Sequence, residues 1–162
     1  MADFQTAGRG QRGNSWESED GKNLMFSFVL YPTFLEARKQ FLLSQIASLA
    51  VKETLDLYIG DVSIKWPNDI YWKDKKICGM LIENDLMGIH ISQSIAGVGI
   101  NINQKEFHSS APNPISIIQI THRESDRMEI LAQVLQRIKE YYKILQEGDI
   151  EFITDRYQAA LF

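Results

Sequence analysis

A single cysteine among 162 residues leaves no partner for an internal disulfide and no set of thiolates for a metal cage. That residue, Cys78, sits in an apolar run and reads as a small buried hydrophobe rather than a nucleophile. Histidine is scarce as well. His90, His108 and His122 show no ligand spacing with one another, so a side-chain metal site is not expected. No apolar run approaches the ~20 residues of a membrane span, and the chain opens into polar sequence rather than a signal peptide. The expectation is a cytoplasmic protein with no membrane partner. Positive charge is also short: 17 Lys and Arg against 21 Asp and Glu leave a net charge of -4. That balance argues against a protein that holds nucleic acid by bulk charge. Internal repeats and low-complexity tracts are missing too.

What remains is an ordinary globular composition, 44% hydrophobic and 23% charged, with enough apolar mass for one real core. Residues 2–5 read like the end of a strand, and residues 6–22 form a long glycine-rich loop whose main apolar side chain is Trp16. The aromatic run 23–31 reads as a strand. Thr33 and Glu36 have capping-box spacing ahead of a helix over 34–58, with Leu42, Ile46, Leu49 and Ala50 on one face. Strands are expected at 62–65, 70–72, 77–84 and 90–103. Residues 104–114 form a loop, and 115–120 a short apolar piece of unassigned type. Asp126 with Glu129 caps a second long helix, whose apolar stripe runs Met128, Leu131, Leu135, Ile138, Tyr142 and Leu145. Gly148 ends it, and Asp149 caps a last helix through Ala160. Strand groups separated by helices give an α+β class, a mixed β-sheet packed with helices, rather than a regular alternation.

Four stretches carry polar chemistry. Gly8, Arg9, Gly10, Gln11, Arg12 and Gly13 offer close backbone approach and two guanidinium forks for an anion. The bland readings of this stretch are a flexible linker or a nucleic-acid tract. Lys65, Trp66, Pro67, Asn68 and Asp69 compress an amine, an amide and a carboxylate between two apolar strands, which is unusual for a turn alone. Lys76 is the last charge before the buried strand that carries Gly79. It is either a solvated turn residue or a point charge aimed at a phosphoryl group. Gly97 and Gly99 lie inside a strand, where glycine often marks close approach of a ligand. The order GVGININ over 97–103 is by itself only a weak nucleotide signal.

Taken together and in this order, QTAGRGQRG (5–13) with Trp16, KWPNDI (65–70), KICGMLIE (76–83) and GVGININ (97–103) resemble the catalytic domain of biotin protein ligase. The resemblance covers nearly the whole chain and implies a class II aminoacyl-tRNA synthetase-like fold. It implies that biotin and ATP, with Mg²⁺, give biotinyl-5′-AMP and pyrophosphate. The acyl group then moves to a lysine of a biotin carboxyl carrier protein. By the same resemblance, Gln5, Gly8, Arg9, Gly10, Gln11, Lys76 and Gly79 would line the biotin site. Arg12, Trp16, Lys65, Asn68, Asp69 and Asn101 would serve ATP and the adenylate. Lys76, Arg9 and Arg12 would neutralise charge in the reaction, and Asp69 would meet Mg²⁺ indirectly. Trp16 would cover the adenine. Dimers through the sheet are common in the family, which makes a homodimer an expectation of the resemblance alone.

Two departures qualify it. Many members carry arginine where this chain has Gln11, and often at Asn14, so looser retention of the adenylate is expected here. The family's upstream Ser-Thr-Asn segment and its C-terminal small β-barrel are not recognised in residues 1–162, so an incomplete ligase is the expectation. The competing readings are a lipoate ligase or octanoyltransferase, and a non-catalytic fragment that binds a ligand or partner.

Overall fold

Five strands contribute one residue each to a single apolar rung: Leu24, Ile100, Cys78, Ile70 and Ile64 are aligned in register, and all are fully buried. They belong to β1 (Leu24–Leu30), β5 (His90–Ile100), β4 (Lys75–Met87), β3 (Asp69–Trp72) and β2 (Val62–Lys65), which form one sheet in that spatial order. The computed structural model describes residues 1–10, 13–109 and 111–162. The named strands pair antiparallel throughout. Parallel character enters through two isolated bridges, Ile64 with Leu161 and Lys76 with Pro114.

Helix α1 (Phe41–Ile59) connects β1 to β2 at opposite edges of the sheet. It packs on β2 and β3 and against α3 (Arg127–Gln146) and α4 (Ile150–Ala159), while the short α2 (Ile117–Thr121) touches its flank. These helices and the apolar rung share one buried cluster. Each fully buried Ile or Leu in it contributes roughly 1.5–3 kcal/mol of transfer free energy. Side chains alternate along a strand, so the helices cover one face and leave the other for a site.

Several local expectations are corrected by packing. Thr33 and Glu36 do not cap the first helix, which begins at Phe41 behind a 3₁₀ turn at Ala37–Lys39 and has no side-chain cap. The reason is a tertiary pairing: Leu35 accepts from the Ile91 amide at 3.0 Å, and the Ala37 amide donates to Ile89 at 2.8 Å. The chain there is held extended against β5, and the Glu36 carboxylate turns to Arg38 at 2.5 Å. On α3 the buried stripe is Ile130, Val134, Ile138, Tyr141 and Leu145. Leu131, Leu135 and Tyr142 sit on its margin, and Met128 is exposed. Both stripes satisfy helical spacing, and packing against α1 and α4 selects the one rotated by a single residue. β4 runs longer than expected and β5 ends at Ile100.

Other expectations hold. Asp126 accepts from the amides of Met128 and Glu129, and Asp149 from that of Phe152. Gly148 adopts φ 84°, which favours glycine. The unassigned piece at 115–120 supplies all but the last residue of α2, with Ser116 and Gln119 forming a capping box at its start.

Candidate active site

On the face opposite the helices, the rung next to the apolar one is Met25, Gly99 and Gly79. The two glycines are directly paired, so bare backbone forms a floor. The indole of Trp16 lies on it. A Cβ on Gly99 would stand 2.5 Å from Trp16 Cε2 and 2.7 Å from Cζ2, and one on Gly79 would stand 3.2 Å from Cζ3. Those separations explain why both positions carry glycine. The indole Nε1–H is buried with no hydrogen-bond partner among the described residues. The ring is thus seated by contact with the floor, its one donor left unpaired among the described residues.

Lys76 reaches the edge of this floor by way of a β-bulge. Ile70 pairs with Cys78 but Tyr71 pairs with Lys76, so Ile77 is the extra residue. Ile77 and Cys78 are both fully buried. Without the bulge, strict alternation would send Lys76 to the same side as Cys78, into the helices. With it, Lys76 Nζ comes to 3.5 Å from the position of a Gly79 Cβ and donates to Asp69 Oδ2 at 2.7 Å. Both side chains of that pair retain 29% of their exposure. The site therefore holds a paired, solvent-reachable cation beside a flat floor.

A cavity of about 760 Å³ opens above the floor. Among the candidates from the sequence, Gln5, Arg9, Gly10, Trp16, Asp69, Lys76 and Gly79 line it. Gly8 is not in the lining; a Cβ there would stand 2.7 Å from the Trp16 carbonyl oxygen. The loop is drawn into a small hairpin, with the Trp16 amide on the Gly8 carbonyl at 2.9 Å and the Gly10 amide on Asn14 at 2.6 Å. Arg9 comes within 3.9 Å of Glu83 as an exposed pair, a weak restraint on the guanidinium. Gln11 and Arg12 lie outside the described residues.

Of the described candidates, Asn68, Asn101 and Lys65 join Gly8 outside the lining. Asn68 is buried, and its amide donates to the Met80 carbonyl at 3.4 Å. Asn101 is buried too and donates to the Ile115 carbonyl at 3.1 Å, while its Oδ1 has no partner among the described residues. Lys65 is exposed, its Nζ 4.8 Å from the centre of the Tyr71 ring. Conversely, Gly99, Glu83, Trp66 and Pro67 line the cavity although their motifs give them no specific site role. The sequence marks Gly99 as a glycine inside a strand, and only the register makes it the partner of Gly79. Cys78 lies beneath the floor, where burial pushes its thiol well above the ordinary range, with the Asp69 carboxylate adding to the effect. It is not a nucleophile here. No group of three or more His, Cys, Asp or Glu side chains among the described residues is placed to hold a metal. No helix among them is long and apolar enough to cross a membrane.

Comparison with known proteins agrees with this geometry. The model of the biotin/lipoate A/B protein ligase family matches residues 1–101. The bifunctional ligase/repressor BirA of Bacillus subtilis (strain 168) is 31% identical over 149 residues, 88% of this chain and 45% of its own length. The biotin–[acetyl-CoA-carboxylase] ligase of Paracoccus denitrificans is 32% identical over 140 residues, 81% of this chain and 57% of its own. The chain spans about half the length of the curated relatives it matches. Among solved structures, the biotin protein ligase of Aquifex aeolicus in complex with biotin and ATP superposes with a TM-score of 0.86. The two are 34% identical, over 99% of this chain and 67% of that one. Sequence and fold thus agree that the chain belongs to the biotin/lipoate A/B protein ligase family, as a biotin protein ligase catalytic domain of class II aminoacyl-tRNA synthetase-like fold.

Proposed function

We propose that this chain activates biotin with ATP to biotinyl-5′-AMP and passes the acyl group to a lysine of a biotin carboxyl carrier protein. The observation that carries the reading is Lys76, brought by the β-bulge to the edge of the Gly79–Gly99 floor and facing the cavity shared with Gln5, Arg9 and Trp16. In the first step a carboxylate oxygen of biotin bonds to the α-phosphorus, and the bond to the departing pyrophosphate breaks. Two anions meet there. The Lys76 ammonium and the Arg9 guanidinium lower that repulsion, and Arg12 joins them in the same role. In the second step a carrier lysine amine attacks the acyl carbon, and AMP leaves with the bonding pair.

Gln5, Gly8, Gly10 and Gln11 contribute polar and backbone contacts to biotin, and Trp16 closes the loop side of the adenylate. Asn68 supports the strand end that carries Asp69, and Asn101 and Lys65 are assigned nearer the nucleotide. Among the described residues, Asp69 is the carboxylate that pairs with Lys76. That donor set fits a Mg²⁺ that arrives on the nucleotide phosphates and keeps most of its water. Bound in that way, the ion supplies charge neutralisation at the phosphates.

Incubation of the chain with biotin, ATP and Mg²⁺ is expected to release pyrophosphate, and Lys76→Ala to slow the release by about 10²–10³-fold; equal rates in the two proteins would overturn the assignment. The family also handles lipoate, so competition between biotin and lipoate for binding separates the two acyl groups. A folded chain that binds neither by calorimetry would instead be a non-catalytic fragment. The same reading carries a cytoplasmic location. Pairing into a homodimer through the sheet belongs to the same reading, with Leu86, Met87, Ile89 and Ile95 exposed on β4, β5 and their turn. Sedimentation checks it.

A further inference from the structure

Glu17 follows the indole that covers the floor, yet its own side chain points to a different part of the chain. Its Oε1 accepts the amide of His108 at 2.9 Å, and its Oε2 accepts the amide of Ser109 at 2.7 Å. Two consecutive backbone amides thus grip both oxygens of one carboxylate. Hydrogen bonds to an ionised acceptor are roughly twice as strong as neutral ones. Burial on its own would push this carboxyl up. The Ser109 hydroxyl, the two amides and the His108 imidazole together carry it below the ordinary range.

The segment that Glu17 grips is itself tied to Lys76. The Lys76 amide donates to the Asn113 carbonyl at 2.8 Å, and the Ile115 amide donates to the Lys76 carbonyl at 2.9 Å. One carboxylate therefore closes a circuit. It joins the loop bearing Trp16 to His108 and Ser109, close in the chain to Asn113 and Ile115, whose backbones pair with Lys76, the residue that faces the reacting end of the cavity. A neutral tie runs alongside, from the Glu19 amide to Gln104 Oε1 at 3.1 Å. On the other side of Trp16 the loop is held mainly by its own hairpin bonds.

We infer that Glu17 is a positioning residue: its carboxylate clasps the stretch 13–22 to residues 104–109 and so seats the Trp16 indole over the Gly79–Gly99 floor in register with Lys76. The inference deepens the proposed function, since it rests on the cavity being where the activated acyl group is held. Entry and exit of a ligand under the indole require the loop to lift, and lifting breaks two charge-assisted bonds. The clasp thereby sets how long a reactive acyl phosphate anhydride stays shielded from water.

The test uses the full chain with Glu17→Gln, which is isosteric and retains one acceptor oxygen for these amides, and Glu17→Ala, which retains none. In the ligand-free protein, hydrogen exchange is followed at the His108 and Ser109 amides. Acrylamide quenching of Trp16 is followed with Trp66 and Trp72 replaced by Phe. With substrates, KM for biotin, kcat for pyrophosphate release and the rate of adenylate loss are measured. The expected order is wild type, Gln, Ala. In the Ala variant, Trp16 becomes more accessible, and KM and adenylate loss rise by roughly tenfold or more, the scale of one charge-assisted bond. The change in kcat is expected to be smaller. Faster exchange at His108 and Ser109 with unchanged Trp16 quenching and unchanged KM would reduce Glu17 to a local brace and overturn the inference. Unchanged exchange would overturn it as well. If the wild type forms no adenylate while Trp16 accessibility follows the expected order, the biotin reading fails and the clasp stands.

Discussion

On the helix side of the sheet, Leu24, Ile100, Cys78, Ile70 and Ile64 close a rung with no exposure. On the other side, the neighbouring rung sets the two glycines Gly99 and Gly79 beside a buried Met25. Three of the five strands, β1, β5 and β4, carry both, one residue apart. The helix face is filled because stability scales with the apolar area taken from water. The ligand face is kept low because a flat ring must lie against backbone, and a methyl group there would already collide with Trp16. Substitutions on one face should therefore change folding, and substitutions on the other should change binding and rate.

The sharpest way to break that contrast is Ile100→Ala on the filled face. It should cost about 2–5 kcal/mol of stability in denaturant unfolding, the usual range for truncating a fully buried Ile. Activity per folded molecule should stay close to wild type. Lys76→Ala should do the reverse. A loss of about 10²–10³-fold in kcat is the scale for deleting one electrostatic stabiliser. The stability change should stay under about 1 kcal/mol, because the ion pair with Asp69 is partly solvated. Gly99→Ala should weaken ligand binding by about 10–100-fold through overpacking against the indole, read by calorimetry and Trp fluorescence. If it behaves as wild type, the floor is not where the ring lies.

The smallest effect is expected at the helix layer. Burial, then the bond to Glu53, pushes the Tyr141 hydroxyl up to about 12 from an unfolded value of 10.0. A group raised on folding stabilises fully below its unfolded value and loses that contribution as pH climbs through the folded one. Stability should thus fall between about pH 10 and 12. Tyr141→Phe should remove about 1 kcal/mol at neutral pH and flatten part of that limb, the remainder belonging to Tyr157, which is also raised to about 12 by burial.

The helical caps at Asp126 and Asp149 and the strand cores were legible because each depends on residues close in the chain. The start of α1 was not. Its false capping box at Thr33 and Glu36 lost to pairing with residues 89–91, which lie far along the sequence. The stripe on α3 was legible only to within one residue, since two sets of apolar positions satisfy the same period.

The candidate site divides along the same line. Motif order in the chain pointed to the family and to Gln5, Arg9, Asp69, Lys76 and Gly79, which share one cavity. Asn68 and Asn101 share its motifs yet sit beneath or behind it, because a motif lists neighbours in sequence and says nothing of which face each one takes. The bulge at Ile77 that aims Lys76, the pairing of Gly79 with Gly99, and the grip of Glu17 on His108 and Ser109 all join residues distant in the chain. Composition and local spacing determine which segments become strands, helices and loops. Register and long-range hydrogen bonds determine which of their residues meet, because those contacts exist only once the sheet has closed.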